Sequence, residues 1–96
     1  MKITILPSAR DDLAGGFDFY EAQGEGLGSY FLESLFSDID SLKLYAGIHR
    51  KVFGFHRLLS KRFPYAIYYS VESETAFVNG VLDCRRDPAW VRERLK

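Results

Sequence analysis

The segment Phe63-Pro64-Tyr65-Ala66-Ile67-Tyr68-Tyr69-Ser70-Val71 carries large apolar side chains at every second position: Phe63, Tyr65, Ile67, Tyr69 and Val71. Side chains alternate across a strand with a period of two, so this pattern predicts a strand. Just upstream, residues 52–60 predict another, in which Phe53, Phe55, Arg57 and Leu59 oppose Val52, Gly54, His56 and Leu58, with Lys61-Arg62 as the connection. Downstream, Glu72-Ser73-Glu74 supplies a turn. Residues 75–83 follow as a further strand, with Ala76, Val78, Gly80 and Leu82 on one side and Phe77 and Val81 on the other. Three consecutive strands with short connections predict an antiparallel meander.

Toward the N-terminus the period changes. Ala9, Leu13, Phe17 and Tyr20 recur every three or four residues, as do Leu27, Phe31, Leu35, Ile39 and Leu42. This is the spacing of one helical stripe, and it predicts two helices ending near Gln23 and Tyr45. Gly24, Gly26 and Gly28 leave room only for a tight link, hence a helical hairpin. Gly15-Gly16 weakens the first helix, since a mid-helix glycine costs about 1 kcal/mol relative to alanine. Ser8 is expected to cap that helix, with Asp11 and Asp12 near its positive end. The β-branched run Lys2-Ile3-Thr4-Ile5-Leu6 predicts an opening strand, and Asp87-Pro88 predicts a capped final helix over 89–95. The expected fold class is α+β, in the order β-α-α-β-β-β(-α). A helical hairpin packs on an antiparallel meander sheet in a single domain, 1–96.

Hydrophobic residues at 47% and charged residues at 27% describe a folded chain rather than a disordered one. No apolar run approaches the roughly 20 residues of a membrane helix, and no leader pattern opens the chain, so the expectation is a cytoplasmic protein without a membrane partner. One cysteine and two histidines give no disulfide and no metal-ligand spacing. Neither metal nor cofactor is expected, and Cys84 is expected to be buried. The net charge of zero conceals a segregation. Residues 1–48 carry three basic against eight acidic side chains, a balance of −5, and residues 49–96 carry ten against five, a balance of +5. A basic half suits a polyanion or an acidic protein.

Four blocks together resemble the RelE/ParE toxin family of type II toxin–antitoxin systems, and its ParE-like branch in particular. They are Ser8-Ala9-Arg10-Asp11-Asp12-Leu13 with Tyr20-Glu21; Gly26-Leu27-Gly28 with Phe31; RLLSKRFPYAIYY over residues 57–69; and VLDCRRDPAWVRER over residues 81–94. The resemblance implies a toxin neutralised by a cognate antitoxin whose C-terminal segment folds around the hairpin and sheet. Leu13, Phe17, Tyr20, Phe31 and Leu35 are the expected antitoxin-binding positions. It also implies one of two targets. ParE-like members poison DNA gyrase and block replication, whereas others of this fold are endonucleases acting on mRNA at the ribosome, and fold alone does not choose between them.

The expected target-binding residues are Arg57, Lys61, Arg62, Arg85, Arg86 and Trp90. Arginine keeps its charge at physiological pH and presents a planar fork to phosphate or carboxylate. The plain alternative is a solvated edge with ion pairs to Glu72, Glu74, Asp83 or Asp87. Arg57, which shares strand parity with Phe55 and Leu59, either emerges at a sheet edge or is paired within the fold. For Trp90 the favoured reading is packing of the last helix.

A nuclease of this kind needs a base, an acid and cations around the phosphate, for which Lys61, Arg62 and Arg86 are the candidates. In the nucleases that this chain resembles, a tyrosine or histidine near the C-terminus contributes; here neither occurs after Tyr69, and ParE-like relatives often carry histidine where Asp83 stands. His49 and His56 are the only side chains with an ordinary pKa near neutrality. The leading expectation is therefore a gyrase inhibitor that is not an enzyme. The alternatives are an mRNA endonuclease, or a chain that binds antitoxin and has lost toxicity.

Overall fold

The computed structural model describes residues 1–96. Its elements are β1 (Lys2–Ile5), α1 (Pro7–Glu21), α2 (Leu27–Asp40), α3 (Leu42–Tyr45), β2 (Lys51–Val52), β3 (Phe55–Leu59), β4 (Tyr65–Glu72), β5 (Thr75–Asp83) and α4 (Pro88–Arg94). The five strands form one sheet in the order β1-β5-β4-β3-β2, with β1 parallel to β5 and all other pairs antiparallel. The expected meander is β3-β4-β5, and the hairpin of α1 and α2 lies on one face of it.

The strand expected over 52–60 is two strands. Phe53 and Gly54 both have positive φ, 56° and 86°, and Val52 pairs with Phe55 across them. Positive φ at both central residues belongs to the two-residue hairpin turn whose twist matches the flanking strands. Phe53, which belongs to the apolar alternation, is thus a turn residue. The turn from β4 to β5 is built the same way by Ser73 and Glu74, with φ of 45° and 64°.

The parity expected for β5 holds only to its middle. Tyr68 pairs with Gly80 and Tyr69 with Val78, so Asn79 is an extra residue, a β-bulge. Ala76 and Val78 face the helices before the bulge and Val81 faces them after it, while Leu82 falls on the opposite side. Both faces of β4 are buried. Tyr65, Ile67 and Tyr69 meet the helices, where Phe31 and Leu35 of α2 and Leu42 of α3 are fully buried. Ala66 and Tyr68 meet Val91 and Leu95 at the last helix.

The first helix starts one residue before the expected cap. Pro7 opens it and Leu6 is its cap residue, while the Ser8 hydroxyl donates to Asn79 O on β5 at 3.1 Å. Asp11 and Asp12 therefore lie beyond the first turn. The Asp12 carboxylate accepts from Val81 N at 3.0 Å and from Arg94 Nη2, and Arg94 also donates to Ser8 O at 2.9 Å. β1 ends at Ile5, so these side chains satisfy the part of the β5 edge that β1 leaves bare.

The second helix breaks at Ser41 into α2 and α3. Its capping residue, Gly26, offers no side chain, and the Glu21 carboxylate does the capping instead, accepting from Gly26 N at 3.1 Å and Gly28 N at 2.9 Å. The last helix starts as expected, with Asp87 Oδ1 accepting from Ala89 N at 2.8 Å.

Candidate functional site

Two surfaces carry the residues singled out above. The first is the end of the sheet where β3 leaves and β4 enters. Cys84 N donates to Pro64 O at 2.7 Å and Tyr65 pairs with Asp83, so the connection over 60–64 lies against the segment 84–87. Lys61, Arg62, Arg85 and Arg86 belong to these two adjacent segments.

Their states differ. The Arg85 guanidinium grips Asp83 through two bonds of 2.9 and 2.7 Å, which holds the Asp83 carboxyl below the usual carboxylate range and raises the guanidinium's own pKa. The ion pair anticipated with Asp83 is therefore present for Arg85. Lys61, Arg62, Arg86 and Arg57 make no ion pair, and Arg86 instead lies over the Trp90 ring, 4.1 Å from its centroid.

Arg57 is neither at a sheet edge nor paired. It is half-buried on β3, opposite Tyr68, on the face covered only by α4, and its charge is felt at the Cys84 thiol. Cys84 itself is exposed, contrary to expectation, because the chain leaves the sheet at Asp83. Trp90 is 38% exposed. The residues that pack α4 are Val91 and Leu95, which point at the sheet one and five positions later.

No side chain here offers a base near neutrality. Burial, and then the Asp83 charge, push the Tyr65 hydroxyl up to about 12, and Tyr68 is core. His49 and His56 lie on the hairpin's face of the sheet, because His56 pairs with Tyr69, and they form a cluster of their own. Tyr69 OH contacts His49 Nδ1 and accepts from Gly47 N at 2.9 Å, and His56 Nδ1 lies 2.6 Å from His49 O. Burial, and then the neighbouring His56, lower the His49 pKa. The sheet thus separates both histidines from Arg57.

The second surface is an apolar groove where α1 and α2 flank β1. Two adjoining cavities of about 600 and 640 Å³ share Ile5, Leu32 and Phe36, and Phe17 and Ile3 extend the lining at either end. β1 is an edge strand, and on its open side only Ile5 O meets a side chain, accepting from Arg10 Nε at 3.1 Å. Of the five positions expected to meet an antitoxin, Leu13, Tyr20, Phe31 and Leu35 are buried in the core, because that stripe faces the sheet. Phe17 reaches the surface, and Leu13, though buried, still forms part of the groove wall. Leu32 and Phe36, one position on from Phe31 and Leu35, line it in place of those two.

No family model and no curated protein matches the sequence. Among solved structures, one described as the chromosomal ParDE TA system from P. aeruginosa is similar at a TM-score of 0.77. It is 20% identical and covers 84% of this chain and 92% of that one. The fold is that of the RelE/ParE toxins. On this ParE-like framework the cationic sheet end and the apolar groove lie on different margins of one sheet. No helix of the chain is long and apolar enough to cross a membrane.

Proposed function

We propose that this chain is the toxin of a type II toxin–antitoxin pair, that its cognate antitoxin occupies the groove beside β1, and that the free protein inhibits DNA gyrase and thereby replication. The observation that carries the reading is the groove itself. An apolar channel bordered by an unpaired strand edge, on a ParE-like fold, suits a segment that is disordered alone and orders on contact, burying an apolar face and adding main-chain hydrogen bonds. No histidine lies beside the arginines, and their nearest carboxylates, Asp83 and Asp87, are engaged by Arg85 and by the N-terminus of α4, which favours an inhibitor that binds its target over one that cuts RNA. Arg57, Lys61 and Arg62, free of carboxylates, are then the cations that meet the target, with Arg85, Arg86 and Trp90 at their margin.

The test has two parts. Phe36→Asp, at a half-exposed groove position, should release the chain from an antitoxin encoded beside it, so that cells expressing both stop growing. Unchanged affinity of the pair would place the antitoxin elsewhere. The purified chain should block supercoiling by gyrase and its expression should cause filamentation, whereas normal supercoiling at excess protein removes this target.

A second reading, an endonuclease acting on mRNA at the ribosome, is favoured by Lys61, Arg62 and Arg86 all lacking an acidic partner. Codon-positioned cleavage of message that disappears with Arg62→Ala and Arg86→Ala would support it. Growth unaffected by abundant folded protein would instead mark a chain that retains antitoxin binding alone.

A further inference from the structure

The connection over residues 60–64 is pinned to the helices at both ends. At one end the Ser60 hydroxyl donates at 2.7 Å to Asp38, a carboxylate that α2 keeps buried. At the other, the Phe63 ring lies 4.8, 5.3 and 5.2 Å from the rings of Tyr20, Tyr30 and Phe31. Between these anchors Lys61 and Arg62 are exposed, and neither has an acidic partner. Cations presented by a loop so anchored leave little to be ordered when a ligand arrives.

Positive charge and open aromatic surface coincide here. Residues 60–64 and 83–87 carry four cations, Lys61, Arg62, Arg85 and Arg86, against two carboxylates, a balance of +2. Both carboxylates are engaged, Asp83 by Arg85 and Asp87 by Ala89 N. On the hairpin, Glu21 accepts from Gly26 N and Gly28 N and Glu33 lines the groove, which leaves Glu25 as the free acid of the link. Of the three rings around Phe63, Tyr20 and Phe31 are buried, but Tyr30 is 46% exposed. Core packing accounts for the first two and leaves the open part of Tyr30 unused.

We infer that this corner binds an unpaired stretch of nucleic acid, with a base stacking on Tyr30 beside Phe63 and neighbouring phosphates meeting Lys61 and Arg62. A polynucleotide supplies a phosphate for each cation and a π-face for the ring, whereas an acidic side chain supplies only the negative charge. The strand must be unpaired, because a base stacked within a duplex has no face to offer. This rests on the reading of the cationic sheet end as the surface that meets the target, and it adds Tyr30 as a contact residue.

The purified chain alone provides the test, so its outcome is separate from that of the supercoiling assay. Fluorescence anisotropy with end-labelled oligothymidylate and oligouridylate of about twelve nucleotides should show saturable binding that weakens as salt rises. An abasic strand of equal length, with the same phosphates and no bases, should bind about tenfold more weakly. Tyr30→Leu, which keeps an apolar side chain against Phe63, should weaken the base-bearing strands about five- to a hundredfold and leave the abasic strand unchanged. Tyr30→Phe should restore binding to within about twofold, since the ring is kept. Lys61→Ala and Arg62→Ala should weaken every strand, each lowering the salt slope by about 0.7. Tighter oligothymidylate assigns the site to DNA, tighter oligouridylate to RNA, and equal affinity shows that the sugar is not read. The inference is overturned if neither base-bearing strand binds, or if the abasic strand binds as tightly as they do. Displacement of oligothymidylate by a polyglutamate peptide as readily as by unlabelled oligothymidylate of equal charge also overturns it and makes this corner a surface for an acidic protein.

Discussion

The two faces of the sheet are built on different scales. Against the helical hairpin lies a cluster of thirteen buried residues, whereas the opposite face buries five, beneath a helix of seven residues. Apolar burial stabilises roughly in proportion to area, so the hairpin face holds most of the stability. The lightly covered face is where a half-buried guanidinium, that of Arg57, remains without a counter-charge. A small domain that concentrates its core on one side can leave the other side chemically exposed.

The asymmetry can be broken by substitution. Phe31→Ala, fully buried on the hairpin face, is expected to cost about 3–5 kcal/mol in urea denaturation. Next is Gly16→Ala, whose added carbon strikes that same ring, at about 1–3 kcal/mol from overpacking. On the thin face, Leu95→Ala should cost about 2 kcal/mol, the low end for a leucine, since the last helix can settle onto the gap. If Leu95→Ala proves as damaging as Phe31→Ala, the two faces are energetically equal and the comparison fails. Gly15→Ala should have the opposite sign, raising stability by about 0.5–1 kcal/mol, and destabilisation would mean that the glycine meets an internal demand.

The smallest effect concerns pH. The folded chain holds His49 below the 6.5 of the free side chain. The unfolded chain therefore takes up the proton first, and stability is full above about 6.5 and declines as pH falls below it. Protonation at Nδ1 would also deprive the buried Tyr69 hydroxyl of its acceptor, since that oxygen already receives Gly47 N–H. His49→Gln should flatten the melting temperature between pH 7 and 5. An unchanged slope would remove His49 from the cause.

Much of the fold is legible from periodicity. The hairpin, the meander and the last helix with its Asp87 cap follow from spacings of three to four, of two, and from Asp87-Pro88. What periodicity misses is what backbone geometry decides. Phe53 continues an apolar alternation yet forms a turn, and only the following Gly54 signals it. The bulge at Asn79 inverts the facing of everything after it, and no local residue type announces that. β1 against β5 is a pairing of residues more than seventy positions apart, beyond any local pattern.

On the surfaces, the approach of residues 60–64 to 84–87 follows from the meander, since consecutive antiparallel strands return to the same end. Which arginines are free does not follow, because Arg85 and Asp83 find each other across two residues while Arg57 finds no acid. On α2 the groove-lining residues lie one position along from the expected stripe for a related reason. A stripe at spacings of three and four marks the side of a helix that is buried, and the accessible apolar residues, Leu32 and Phe36, lie just beside it.

The pairing of Lys2 with Thr75 has a consequence for the order of assembly. β1 cannot pair with β5 until β5, about seventy residues later, has also been made, and the helices between them meanwhile lack the surface they cover. Closure across so long a stretch of chain slows folding. The sheet is therefore completed only after β5 has emerged, and until then any activity that depends on the finished sheet is withheld.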